Sequence, residues 1–163
     1  MKRGLMMKKV LSLFLALVLC LGVCACSSSN SEPANEPAKI QDLDGNTVEM
    51  TAKELEDIYK ENAAKFRKLY QGATVTGVGT VKRVNNFRDS FSGKTAMVYE
   101  IVMKEGWTLK VLEKGHDEVI NLSSGDRIQF TSLISGADSN SVHLNRICGW
   151  PPSEDRSVIE ILD

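Results

Sequence analysis

Hydrophobic residues are distributed very differently along the three parts of this chain. Residues 10–25 form an almost uninterrupted apolar run, whereas residues 27–39 are rich in Ser, Asn, Pro and Glu and contain almost no apolar side chain. In residues 55–69 the apolar positions recur at helical spacing, and from residue 74 onward the pattern becomes that of β-strands. The pattern predicts a leader, a polar segment, one helix and a set of strands.

The helix has a clear start and a clear end in the sequence. Thr51-Ala52-Lys53-Glu54 fits a capping box, in which the Thr hydroxyl and the Glu carboxylate satisfy free backbone amides. Gln71-Gly72 can end the helix, because glycine tolerates the backbone conformation that follows a last turn. We therefore predict a single helix between these points. Before it, a turn at residues 44–46 indicates a short strand or an extended lead-in.

Five strands are predicted after the helix. They cover residues 74–84, 96–103, 107–112, 127–134 and 142–148, and residues 157–162 are a candidate edge strand. Gly77 and Gly79 within the first strand indicate a bulge or sharp bend. Residues 85–95 and 135–141 are predicted as loops, and residues 114–124 as a connector with weak helical character. The expected fold is mainly β with an N-terminal helix, namely a five-stranded OB-type barrel.

The leader has the features of a bacterial export signal. Four basic residues, Lys2, Arg3, Lys8 and Lys9, come before an apolar run that is shorter than the roughly 20 residues of a spanning helix. Val23-Cys24-Ala25-Cys26 is similar to the bacterial lipobox, although Cys24 is an unusual choice for its middle position. This resemblance implies cleavage before Cys26 and lipidation of Cys26. An ordinary secretory signal with incidental cysteines is the alternative.

These observations predict four segments. Residues 1–25 are a lipoprotein signal peptide, and residues 26–39 are the lipidated Cys26 and a flexible tether, because so polar a segment buries too little surface to offset its ordering entropy. Residues 40–150 hold the helix and barrel, and residues 151–163 are a C-terminal extension. We expect the protein on the extracytoplasmic face of the cell membrane, with the membrane as a partner through the N-terminal lipid.

Cleavage changes both the charge and the cysteine content. The whole chain has 20 basic and 21 acidic residues, and loss of the four leader cations leaves 16 against 21, a net charge of −5. Nucleic-acid binders usually present a basic footprint, so the net charge disfavours a nucleic-acid partner. Cys148 becomes the last unmodified cysteine, so no intrachain disulfide is expected. It is predicted to be buried and inert, or else to pair between molecules.

Several stretches resemble a known family. They are Leu55…Tyr59-Lys60-Glu61-Asn62…Lys65-Phe66…Leu69-Tyr70-Gln71-Gly72, then Thr74-Val75-Thr76-Gly77-Val78-Gly79-Thr80-Val81, Leu122-Ser123-Ser124-Gly125-Asp126-Arg127-Ile128 and Leu144-Asn145-Arg146-Ile147-Cys148. Together they are similar to the tRNA-anticodon-like OB-fold family of bacterial lipoproteins and secreted proteins. The resemblance implies the OB fold. It does not imply a function, because one fold serves many functions.

The expected binding surface follows from the fold. OB folds usually bind ligands on the face of strands two and three and on the neighbouring loops. The first loop offers Phe87, Arg88, Phe91 and Lys94, while Glu100 and Lys110 are predicted on the outer face of the strands. Glu100 places a carboxylate where a phosphate backbone would need cations. The alternative for this loop is a solvated segment whose phenylalanines cover the end of the barrel.

No catalytic or metal motif is apparent. His116 and His143 lack metal-ligand spacing to a second His or Cys, and residues 42–46 lack the downstream Glu of a calcium loop. We expect no metal, no cofactor and no enzymatic activity. The favoured hypothesis is an anchored OB module that binds an envelope protein, peptide or saccharide. The alternatives are a single-stranded nucleic-acid binder and a structural lipoprotein without a discrete ligand.

Overall fold

The computed structural model describes residues 36–91, 94–145 and 157–162, which contain two helices and eight strands. In chain order these are β1 (Ala38–Gln41), β2 (Thr47–Met50), α1 (Ala52–Glu61), α2 (Ala63–Leu69), β3 (Thr74–Phe91), β4 (Lys94–Met103), β5 (Trp107–Leu112), β6 (Arg127–Ala137), β7 (Val142–Leu144) and β8 (Val158–Leu162). A 3₁₀ turn at Asp117–Asn121 lies within the predicted connector. The predicted mainly β composition is confirmed.

Five of the strands pair in a closed ring. The order is β3-β4-β5-β7-β6, and β6 pairs back onto β3. β5 and β7 are parallel, whereas the other neighbours in the ring are antiparallel. The β1–β2 hairpin extends the sheet beside β3, and β8 pairs with β6 as the predicted edge strand. The five strands of the ring are the five that the sequence predicts, in the same chain order.

A long bent strand, β3, belongs to both halves of the ring. Its first part, from Thr74 to Thr80, pairs with β6, and its second part, from Val81 to Phe91, pairs with β4. The register shifts between Val81 and Arg83, where the strand changes partner. The predicted irregularity is therefore present as a register shift, but it follows the two glycines instead of lying at them.

The corner of β3, which is the point at Thr80 and Val81 where the strand changes partner, depends on hydrogen bonds from residues outside β3. Both carboxylate oxygens of Glu105 accept hydrogen bonds from the Thr80 amide, at 2.8 and 3.0 Å. The Lys104 amide donates to the Thr80 carbonyl at 2.9 Å, and the Val81 amide donates to the Asp126 carbonyl at 2.8 Å. These bonds replace the ladder hydrogen bonds that a strand loses when it changes partner, so the backbone groups of Thr80 and Val81 remain hydrogen-bonded. The Glu105 side chain is buried at this point.

The glycines of β3 permit close packing. A Cβ at position 77 would lie 2.9 Å from the Ala38 Cβ and 3.0 Å from the Phe130 ring, and a Cβ at position 79 would collide with the Met103 sulfur. Glycine is therefore required at Gly77, because the Ala38 Cβ has no side-chain torsion by which it could move aside, whereas the flexible Met103 side chain could yield to a Cβ at position 79.

The predicted capping box is confirmed, but the single helix is wrong. The Thr51 amide donates to Glu54 at 2.7 Å, and the Glu54 amide donates to the Thr51 hydroxyl at 3.2 Å. The helix breaks at Asn62, whose backbone is extended and whose side chain accepts from the Lys65 amide at 2.9 Å. Asn62 thus ends α1 and caps α2, because its short polar side chain competes with the helical backbone. Gly72 adopts the expected positive φ of 97° beyond α2.

The core lies between the helices and the inner face of the ring. The apolar helix face contributes Leu55 and Phe66, and the strands contribute Trp107 and Phe130; all four are fully buried. The Trp107 and Phe130 rings are 5.8 Å apart. Aromatic contacts of this kind add about 0.5–1.5 kcal/mol beyond the area that they bury.

Three segments that the sequence predicts to be irregular form strands, wholly or in part. The loop predicted at residues 85–95 is a hairpin, in which β3 and β4 pair from Asn85–Glu100 to Phe91–Lys94. The hairpin extends past the core, so Asn86 and Arg88 are exposed and polar residues are tolerated there. This polarity is the reason that the sequence pattern indicated a loop. The predicted tether also ends earlier than expected: β1 starts at Ala38, which is buried. Similarly, β6 continues to Ala137, into the predicted polar loop.

We expect Gly77→Ala to destabilise the domain by about 1–3 kcal/mol, because the added methyl group overpacks against the Ala38 Cβ and the Phe130 ring. Gly136→Ala is the matched control, since a Cβ at that strand position meets nothing within 4 Å. Urea denaturation measures both free energies of unfolding. Equal stability of the two variants would contradict the packing explanation.

Glu105→Ala should lower the free energy of unfolding by about 1–3 kcal/mol, because it leaves the Thr80 amide without an acceptor. Glu105→Gln retains an acceptor oxygen and should lose clearly less stability. Parallel urea titrations compare the two variants. Equal losses would show that the charge of Glu105, and not its role as an acceptor, stabilises the corner.

Candidate functional site

The candidate site is the outer face of β3, β4 and β5, which points away from the core. Strand register places Asn85, Glu100 and Lys110 directly opposite one another on the three strands. We call these three residues the polar row. Facing residues in neighbouring strands project from the same side of a sheet, so the side chains of the row can interact.

The charges of the polar row are paired within the row itself. The Asn85 side-chain amide donates to Glu100 Oε2 at 2.9 Å, and Lys110 Nζ lies 3.6 Å from Glu100 Oε1. The side chains of Glu100 and Lys110 remain 23% and 37% exposed. An ion pair this accessible contributes little stability, about 0–1 kcal/mol, and a ligand could rearrange it at small cost.

An apolar row lies beside the polar row. It consists of Phe87, Val98 and Leu112, which also face one another across the three strands. Lys110 Nζ lies 5.5 Å from the centre of the Phe87 ring, within the range of a cation–π contact. Val98 is only 1% exposed although it lies on the outer face, because larger side chains stand on both sides of it. The two rows together form a mixed polar and apolar surface.

A third group borders the face at the β6–β7 turn. Thr108 on β5 is opposite His143 on β7, and the Ser141 hydroxyl donates to the Thr108 hydroxyl at 2.9 Å. His143 Nε2 lies 2.8 Å from Asp138 Oδ2. The pKa of Asp138 is lowered, mainly because the Asn140 amide donates to its carboxylate and also because of His143. The turn is thus held in one conformation beside the candidate face.

The structure brings together three of the predicted ligand-binding residues. Phe87, Glu100 and Lys110 lie on one face, and Lys110 contacts both of the others. The strand pattern predicts this face for Glu100 and Lys110, whereas it places Phe87 in a loop. Arg88 does not join them: it is exposed, but it is opposite Met97 and projects from the other side of the sheet. The side chains of Phe91 and Lys94 lie outside the described residues, as do Cys26 and Cys148.

Sequence analysis missed the Asp138–His143 pair. The six-residue stretch from Asp138 to His143 contains a turn signal, an Asp followed by small polar residues, that could have placed the two side chains together. Its position beside β5 depends on the parallel β5–β7 pairing, which no local pattern reveals.

The described ranges show no metal centre or membrane span. No group of three His, Cys, Asp or Glu residues within them is arranged to hold a metal ion. Within the same ranges, no helix is both long enough and apolar enough to cross a membrane.

Comparison with known proteins identifies the family of the chain and a solved structure of low similarity. The chain is similar to the solution NMR structure of a replication factor A related protein from Methanobacterium thermoautotrophicum, with 19% identity and a TM-score of 0.42. The similarity covers 59% of this chain and 86% of the other. No curated protein matches the chain. The tRNA_anti-like family profile matches residues 1–146, and the chain therefore belongs to the tRNA_anti-like family, as the sequence resemblance predicted.

Proposed function

We propose that this protein is a membrane-anchored bacterial lipoprotein whose OB-fold domain is a binding or assembly module on the extracytoplasmic face of the cell membrane. In this proposal the ring of five strands is a five-stranded OB-type barrel, and the outer face of β3–β5 is its binding surface. The observation that carries the proposal is the contact of Phe87, Lys110 and Glu100 on that face.

The charges of the face favour a protein, peptide or saccharide ligand. A phosphate backbone is bound by cations that release its counterions. Here the charge of Lys110 is offset by Glu100, and the Glu100 carboxylate would repel a phosphate at the centre of the face. A ligand with both donors and acceptors can instead exchange hydrogen bonds with Asn85 and Glu100 while covering the apolar row.

The aromatic content of the face points the same way. Proteins that bind single-stranded nucleic acids stack successive bases on several aromatic side chains. Among the described side chains of the outer face, Phe87 is the single aromatic residue. Lys110 lies over its ring, where a base would have to stack. A single-stranded nucleic acid is therefore the less favoured ligand. The proposal assigns no catalytic step and requires no cofactor.

The leader supports the anchor. The basic start, the apolar run and Val23-Cys24-Ala25-Cys26 make Cys26 the proposed lipidation site. Two or more acyl chains hold a protein firmly on a membrane, since each buried methylene contributes about 0.8 kcal/mol. Residues 26–35 then connect the lipid to the first described residue, Glu36.

Cys26→Ala should abolish acylation of the full chain in a bacterial host, because the proposed acceptor thiol is lost. Cys24→Ser is the matched control and should retain acylation, since Cys24 would be removed with the leader. Palmitate labelling and mass spectrometry of the mature N-terminus measure both results. Acylated Cys26→Ala protein, or a mature chain that starts at another residue, would contradict the assignment.

A Phe87→Ala/Lys110→Gln double variant should reduce partner recovery by tenfold or more. A tenfold loss of affinity corresponds to about 1.4 kcal/mol of binding free energy, and truncation of a binding hot spot costs more than this. Arg88→Gln should leave recovery unchanged, because Arg88 projects from the opposite side of β3. Cross-linking in membranes, followed by quantitative mass spectrometry, compares the three proteins.

Two outcomes would contradict this proposal. Equal recovery with the double variant would exclude the outer face as the binding surface. Salt-sensitive binding of single-stranded oligonucleotides in fluorescence anisotropy, weakened by Lys110→Gln, would replace the protein, peptide or saccharide ligand with a nucleic acid.

A further inference from the structure

Helix α2 presents a concentrated positive charge outside the candidate site. Its seven residues include Lys65, Arg67 and Lys68 and no acidic residue. All three cations are exposed, and none of them forms an ion pair within the described residues. We call these three side chains the basic helix face.

The neighbouring helix shows the opposite arrangement. In α1 the two lysines are each paired with an acid one turn away: Lys53 with Asp57, and Lys60 with Glu56 at 3.4 Å. The acidic residues of α1 outnumber these lysines. The cations of α1 are therefore neutralised locally, whereas the charge of the basic helix face is directed to solvent.

The helix dipole explains only part of this charge. Arg67 and Lys68 lie in the last turn of α2, where cations favourably meet the negative end of the dipole. Lys65 lies before that turn, and the first turn of α2 lacks the acidic residue that the dipole would favour. Three unpaired cations within four residues, in a protein with an expected mature net charge of −5, are therefore a local positive patch that complements a partner of opposite sign.

We infer that the basic helix face docks the domain onto the anionic lipids of the bilayer that holds its anchor. The inference rests on the proposed lipid anchor, because the ten residues 26–35 can span at most about 35 Å. This short connection gives the helix a high effective concentration at the membrane. Each basic residue held near an anionic surface strengthens binding about fivefold. The aliphatic stems of Lys and Arg can also follow the interface while their charges reach the headgroups.

The test uses the full chain, reconstituted into vesicles of zwitterionic phosphatidylcholine or of phosphatidylcholine with phosphatidylglycerol. Retention on the zwitterionic vesicles reports the anchor separately from the helix. Hydrogen exchange of the α2 amides, measured by mass spectrometry, then reports docking. We expect phosphatidylglycerol to slow this exchange at least about fivefold, and 0.5 M NaCl to remove the effect.

Matched variants separate the basic helix face from total charge. Lys65→Gln/Arg67→Gln/Lys68→Gln should remove the protection of α2 and leave the chain on the vesicles. Lys82→Gln/Lys104→Gln/Lys114→Gln removes the same charge from other exposed lysines and should preserve the protection. Circular dichroism checks that both variants fold.

The same experiment can overturn the inference. Exchange of α2 that does not depend on phosphatidylglycerol, or that both variants change equally, would exclude lipid docking by this helix. Equal protection on adding a soluble polyanion to zwitterionic vesicles would show that the surface binds polyanions in general. Loss of the chain from zwitterionic vesicles would instead contradict the proposed anchor.

Discussion

The ring depends on one strand, β3, being shared between two sheets. A strand that changes partner leaves backbone groups without ladder bonds, and buried groups of this kind must be satisfied elsewhere. Here the turn after β4 supplies the Glu105 carboxylate and the Lys104 amide, and the turn before β6 supplies the Asp126 carbonyl. The register shift is thus bonded by the turns that adjoin both partner strands of β3, and the part of β3 beyond it supplies Asn85 and Phe87 to the candidate face.

The outer face combines self-paired charges with an apolar row. Glu100 is held by Asn85 on one side and by Lys110 on the other, and Lys110 also lies over Phe87. Because these side chains stand on three hydrogen-bonded strands, their backbone positions are fixed before any ligand arrives. A face ordered in this way loses less conformational entropy on binding than one built from loops. This is consistent with a binding module that recognises a mixed polar and apolar surface.

Charge is separated along the domain. The cations of α1 are neutralised within the helix, the polar row is balanced across the sheet, and the charge of α2 is not offset among the described residues. A protein held at a membrane has two distinct needs, orientation and recognition. In the proposals made above, α2 serves the first and the outer face serves the second.

The sequence by itself determined the mainly β composition, the capping box at Thr51 and the chain order of the ring strands, because these depend on local periodicity and short-range hydrogen bonds. It also indicated the family, through the resemblance of several short stretches. Only the tertiary structure decided that residues 85–91 continue a strand, that Arg88 points away from Phe87, and that Asp138 and His143 border the site. The part of the β3–β4 hairpin beyond the core is polar, so it lacks the apolar alternation that would have indicated a strand. Strands that pair but are distant in sequence leave no local signal of their pairing. The chain's own pattern therefore specified the order and type of most of its elements, whereas packing and register extended the strands and assembled the site.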